Sequence, residues 1–194
     1  MLLENKLHIM KNNINEIDKE LINTPFLTIN ELEAGRKVPD SPGIYCIKMR
    51  KGVLFPFDYG EIREDGIIYI GKASQSLKDR LWKEELNHQR PATFFRSIGA
   101  MLGFLPPKGS LIGKKNTRNY NYKFSIEDTE KIKTWMKESL LVKFISLPQA
   151  RLEAVESALI KKLKPLVNIK HNPCASDELK KARKKCVDWA KTKH

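Results

Sequence analysis

Apolar residues along this chain recur in two rhythms. Leu3, Leu7, Met10, Ile14, Ile17 and Leu21 follow alternating steps of four and three, which sets one apolar seam along a helix of about 20 residues. Such a seam serves either a coiled-coil dimer or packing of the helix on its own domain, and the second is the commoner use of so short a stripe. A polar stretch with Asn23, Thr24, Pro25, Gly35 and Pro39 then reads as a linker. From Pro42-Gly43 the rhythm changes to two. Ile44 and Cys46 alternate against Tyr45 and Ile47, as on a half-buried strand. The Asp65-Gly66 turn signal precedes a second apolar run, Ile67 to Gly71, so the two runs predict a long antiparallel hairpin.

Beyond the hairpin the pattern is mainly helical. Helices are predicted over Gln75 to Leu86 and Thr93 to Leu102, the latter ended by Gly103 and Pro106-Pro107. A loop rich in Gly, Lys and Asn runs from Lys108 to Asn121, and Tyr122 to Ser125 reads as a short strand. Ser125 is placed to cap a helix from Ile126 to about Ser139, with Glu127 and Asp128 suited to its N-terminal dipole. Leu140 to Leu147 reads as a buried strand. Pro148 then opens a helix running to Lys164, and a last helix spans about Ser176 to Lys191. The chain is predicted to be α+β.

One carboxylate breaks this pattern. On the helix after Pro148, Leu152, Val155, Leu159, Ile160 and Leu163 form an apolar arc, and Glu156 falls inside it. A buried carboxylate needs a partner, so Glu156 is expected to be held by a metal or an arginine, either in a site or in an internal ion pair.

Composition narrows the function classes. At 194 residues the chain can bury a core without disulfide staples, and Cys46, Cys174 and Cys186 form no CxxC pair. With no signal-peptide pattern and no apolar run long enough to span a membrane, the sequence reads as soluble and cytoplasmic or nucleoid-associated. Its 36 Lys and Arg against 23 Asp and Glu give a net charge of +13, which makes a polyanion the default partner. From Lys161 to His194 eleven basic residues face three acidic ones, in either a solvated helix face or a nucleic-acid contact.

Gly43-Ile44-Tyr45, Tyr69-Ile70-Gly71 with Lys72, Arg80 on the next helix, and Glu156 followed by Lys164-Pro165 and Asn168 together resemble the GIY-YIG nuclease superfamily. The resemblance covers about residues 41 to 170. It implies a three-stranded antiparallel sheet flanked by helices, one Mg²⁺ or Mn²⁺, and hydrolysis of DNA phosphodiester bonds. By the same resemblance Glu156 binds the metal, Tyr45 deprotonates or orients the attacking water, Arg80 offsets charge on the phosphate, and Tyr69 and Asn168 support the site. Each role suits its chemistry. Magnesium takes oxygen ligands and keeps most of its waters, a guanidinium offers a planar fork to phosphate, and a phenol near pKa 10 needs help to act as a base. Lys72 is placed to supply that field or to hold a phosphate. The motif glycines Gly43 and Gly71 complete the set.

Some features depart from the smallest members of that family. Certain restriction-type members carry a histidine one turn after the arginine, a position held here by Glu84, while His88 lies a further turn on as a possible phosphate contact. Organisation is expected as an N-terminal helix and linker over 1–40, a nuclease domain over 41–172 with a helical insertion at about 90–139, and a basic helix over 173–194. Arg96, Lys114, Lys115, Arg118 and Lys123 of the insertion mix with Asn116, Asn119 and Asn121 as candidate DNA contacts. Lys180, Lys181, Arg183, Lys184 and Lys185 are candidates for affinity without sequence choice. The rival readings are a nuclease fold that only binds nucleic acid or protein, and a nuclease for RNA or branched DNA.

Overall fold

The computed structural model describes residues 16–17, 19–34, 38–112 and 121–192. Its centre is an antiparallel sheet in the order β1-β4-β2-β3, with β1 at Leu27–Thr28, β2 at Gly43–Met49, β3 at Ile67–Ala73 and β4 at Leu140–Ser146. The expected hairpin is β2–β3, and Tyr45 stands opposite Gly71 in its register. Four strands replace the three expected. The extra one, β1, pairs two residues with Val142 and Leu141, and two residues are too few for any alternation to reveal.

The stretch read as a linker is partly structured. Thr28 caps a short helix, α1 (Ile29–Glu33), in a capping box with Glu31, and Ile29 and Leu32 are buried beneath it. Residues 122–125 form no strand. Tyr122 and Phe124 instead bury their rings edge to face, and Phe124 lies so close to Gly99 that a Cβ there would meet it at 2.4 Å.

Period-two alternation sorts the core onto both faces of the sheet. Ile44, Cys46, Ile70 and Ile145 pack with Leu152, Val155, Leu159 and Ile160 of α5 (Gln149–Leu163). Ile17 and Leu21, the described end of the N-terminal seam, join this layer and so pack on their own domain; Leu3, Leu7, Met10 and Ile14 lie outside the described residues. On the other face Tyr45, Ile47 and Tyr69 pack with Leu77, with Leu81 of α2 (Lys78–Leu86), with Phe94 and Ile98 of α3 (Thr93–Met101), and with Ile132 and Met136 of α4 (Ile126–Ser139). Leu179, Cys186 and Ala190 fasten the last helix, α6 (Asp177–Lys191), to this second layer, with Ser176 as its cap.

Two motif positions admit glycine alone for packing reasons. A Cβ on Gly43 would meet the Ile145 carbonyl oxygen at 2.3 Å, and one on Gly71 would meet the Tyr45 ring at 2.3 Å. The end of the Tyr45 ring occupies the space that a side chain at Gly71 would need.

Candidate active site

The site straddles β3, an edge strand of the sheet. Alternation sends Tyr69 to the α2–α3 face and Lys72 to the α5 face, and Glu156 reaches the same edge from α5. A cleft of about 470 Å³ gathers Tyr45, Tyr69, Lys72, Arg80, Arg90 and Glu156. Five residues named from sequence, carried by β2, β3, α2 and α5, thus meet in one place.

Glu156 is not in the core. Its side chain is 16% exposed, and its cation is Lys72, at 3.1 Å, rather than an arginine. Helical periodicity places it inside the apolar arc, but its long side chain turns out from there toward the sheet edge and meets Lys72. Lys72 also bonds Glu153, which is more exposed.

Around Arg80 the structure adds a residue that the sequence reading overlooked. Glu85 is fully buried, and its carboxylate accepts from Arg80 Nη2 at 2.6 Å, from Tyr45 Oη at 3.4 Å, and from the amide groups of Phe94 at 2.9 Å and Phe95 at 3.4 Å. It thereby caps α3, whose own N-cap residue, Ala92, has no side-chain oxygen. The other guanidinium nitrogen, Nη1, donates to Glu84 at 2.8 Å. One arginine reaches both carboxylates because α2 is wound as a π-helix: i→i+5 bonding brings residue 85 beside residue 80, whereas in an α-helix they would face apart.

Burial dominates the electrostatics. It lifts the Tyr45 phenol well above its usual pKa, an effect that Glu85 reinforces and Arg80 opposes. Tyr69 is raised for the same first reason. Burial also raises the Glu85 carboxyl, against the pull of Arg80, the two amides and Tyr45.

Asn168 closes the open edge of β3. Its Oδ1 accepts from Ile70 N at 2.9 Å and its Nδ2 donates to Ile70 O at 2.8 Å, so one amide imitates a neighbouring strand. Asn168→Ala strands both backbone groups, and a loss of about 2 kcal/mol of stability is expected in denaturant titration. A loss under a few tenths of a kcal/mol would mean that solvent replaces the amide.

The remaining candidates divide. His88 does not reach the cleft. It is buried at positive φ with its ring stacked on Phe95, centroids 4.1 Å apart, and neither ring nitrogen has a partner among the described residues. Burial lowers its pKa to about 4, with Lys123 and Arg96 adding to the effect. Because the folded value lies below the unfolded one, stability is full above pH 6.5 and falls as pH drops toward 4, by about 3 kcal/mol at most. His88→Phe should flatten this limb of a stability-versus-pH curve; an unchanged limb would assign it to other groups.

Arg96 is buried too. Its Nε donates to Ala92 O at 3.2 Å and its guanidinium lies over Tyr122, so it is part of the packing between α3 and residue 122 and not a surface contact. Lys123 is exposed and away from the cleft, while Lys114, Lys115 and Arg118 lie outside the described residues. On α6, Lys180, Lys181 and Lys184 pair with Asp177, Glu178 and Asp188 of the same helix. Lys185 is exposed on a separate groove with Phe57 and Gly103, and Arg183 borders the site.

A family model, the GIY-YIG catalytic domain, matches residues 43–185. The chain belongs to the GIY-YIG family. Both triplets, Arg80, Glu156, Asn168 and most of α6 fall within the matched GIY-YIG region. No curated protein and no solved structure shows significant similarity to the chain. GIY-YIG membership makes this a nuclease-type hydrolase domain with a nucleic acid as its substrate, of a kind that generally uses divalent metals. No helix among the described residues is long and apolar enough to cross a membrane.

Proposed function

We propose that the protein is a divalent-metal-dependent endonuclease that hydrolyses phosphodiester bonds of DNA. The observation that carries this reading is the single cleft around β3 into which β2, α2 and α5 bring Tyr45, Arg80 and Glu156 beside Tyr69 and Lys72. A dead relative would have no reason to keep all five together.

The residues fit a metal held by one carboxylate. Glu156 faces a cleft with room for water, and among the described residues no group of three His, Cys, Asp or Glu converges. An ion at Glu156 would therefore draw its other ligands from water and phosphate, as Mg²⁺ commonly does, and Mn²⁺ can do likewise. When bound, such an ion withdraws charge from a phosphate oxygen. Lys72, at 3.1 Å from Glu156, is the cation that would shift from the carboxylate to the phosphate.

The chain's own residues supply the proton path. Burial and Glu85 raise the Tyr45 pKa and so disfavour a free phenolate, but a relay needs none. Water gives a proton to Tyr45 Oη while Tyr45 passes its own to Glu85 Oε1. The new hydroxide oxygen bonds to phosphorus, and the bond to the departing sugar oxygen breaks. That oxygen takes a proton from solvent. Arg80, anchored by Glu84 and Glu85, keeps further N–H groups for the phosphate.

Cleavage of plasmid, linear duplex, single-stranded, branched and RNA substrates, with and without Mg²⁺ or Mn²⁺, tests this reading. Metal-dependent fragments from duplex DNA support it. Cleavage confined to RNA or branched DNA would change the substrate, and tight binding without cleavage of any substrate would leave a binding module.

A further inference from the structure

Two cavities meet at the site and share the walls Tyr69 and Glu156. The first, already described, holds Arg80, Lys72 and Arg90. The second, of about 350 Å³, lies on the other side and is bordered by Asn168, His171 and Arg183. A trough thus passes over the reacting centre with cations on both flanks.

The cations are not equivalent. Arg80 is matched by Glu84 and Glu85, and Lys72 by Glu153 and Glu156. Arg183 makes no ion pair or hydrogen bond among the described residues. The sequence denies it one along its own helix, because positions three and four away hold Lys180, Leu179, Cys186 and Val187, none of them acidic. Its lysine neighbours Lys180, Lys181 and Lys184 all have such intrahelical partners. The field of Arg183 falls on Tyr69 of the site and on Arg96, another cation. Glu156 lines the same cavity but pairs with Lys72, and no carboxylate among the described residues lies within ion-pair distance of Arg183, so its charge is placed for an anion from outside.

We infer that Arg183 of the C-terminal helix grips a backbone phosphate next to the scissile one, on the side of Tyr69 and Glu156 opposite Arg80. It is a positioning residue: the strand is held at both flanks, and the bond to be cut is laid across Glu156. Helix α6 then completes the cleft through one residue, whereas its outer lysines add at most affinity. A guanidinium suits the task better than an ammonium, since its planar fork fixes a phosphate in direction as well as distance.

This rests on the nuclease reading, and the test separates the two. Arg183→Gln, Arg183→Lys and, as an outer-face control, Lys184→Gln are compared in metal-free binding to a 20-base-pair duplex over a salt series and in single-turnover cleavage at saturating enzyme. Arg183→Gln should lower the salt slope by about 0.9, weaken binding about tenfold, and slow cleavage at saturation tenfold or more. Arg183→Lys should recover the slope and the affinity but only part of the rate. Lys184→Gln, which gives up only an exposed pair with Asp188, should change both rate and binding less than Arg183→Gln does. Melting temperatures of all three should match the wild type, because none of the substitutions removes a buried partner. Equal effects of Arg183→Gln and Lys184→Gln on rate and binding would overturn the inference, as would a normal rate and slope in Arg183→Gln. If the wild type cleaves nothing, the nuclease reading fails on its own. The binding comparison then decides the cleft contact, with no excess loss in Arg183→Gln over Lys184→Gln counting against it.

Discussion

In Glu156→Gln, metal-dependent cleavage is expected to fall below detection while DNA binding stays within a few fold of wild type. The substitution keeps the shape of the side chain and removes the charge that would hold the ion, so the loss belongs to chemistry and not to folding. Only half of an ion pair with Lys72 is given up, at a partly exposed position, and little stability should go with it. The freed Lys72 remains bonded to Glu153. Glu153→Gln is the internal comparison: it touches the same lysine from a more exposed position and should retain most of the activity. Cleavage near the wild-type rate in Glu156→Gln would remove the metal assignment. Equal losses in the two variants would instead mean that both act by holding Lys72.

Much of this site could be read in the sequence, and the limits have physical causes. The two triplets announce themselves by alternation, and the packing explains their glycines, since Ile145 and Tyr45 occupy the space a Cβ would need. The caps Ser125 and Ser176 sit where the pattern of apolar residues put the helix starts. The capping box Thr28–Glu31 was also open to reading, and it would have turned part of the linker into α1. The same helical periodicity that drew attention to Glu156 would have found Glu85, which follows Leu77 and Leu81 at steps of four on the buried side of α2. Arg96 gave a similar signal, a lone cation within the apolar run of α3. The π-winding was not legible, because it depends on what Glu85 meets across the fold: Tyr45 from β2 and the amides of α3. Nor was the role of Asn168, since the sequence gives no sign that β3 would need its edge covered.

Glu85 is therefore the residue whose replacement should be most revealing. Its carboxylate joins the arginine, the first motif tyrosine and the start of α3, so Glu85→Ala removes a cap and leaves Arg80 with Glu84 alone. A loss of about 3 kcal/mol is expected, toward the lower end for a broken buried pair because Arg80 is about one-third exposed. Glu85→Gln is the gentler probe. Its amide oxygen still accepts from Phe94 N, the fold should survive, and yet the group can no longer take a proton from Tyr45. Single-turnover cleavage should fall by about two orders of magnitude or more, the usual contribution of a positioned acid–base group. Tyr45→Phe should cost a similar factor, and the double variant should cost scarcely more than either, because both break one relay. The pH profile adds a second reading. Burial raises the Glu85 carboxyl, so the relay is blocked by protonation at acid pH, the wild-type rate climbs as pH rises through that raised pKa, and Glu85→Gln loses that limb. Additive losses in Tyr45→Phe and Glu85→Gln, or a Glu85→Gln variant that keeps both its rate and its acid limb, would confine Glu85 to a purely structural part as the cap of α3 and the anchor of Arg80.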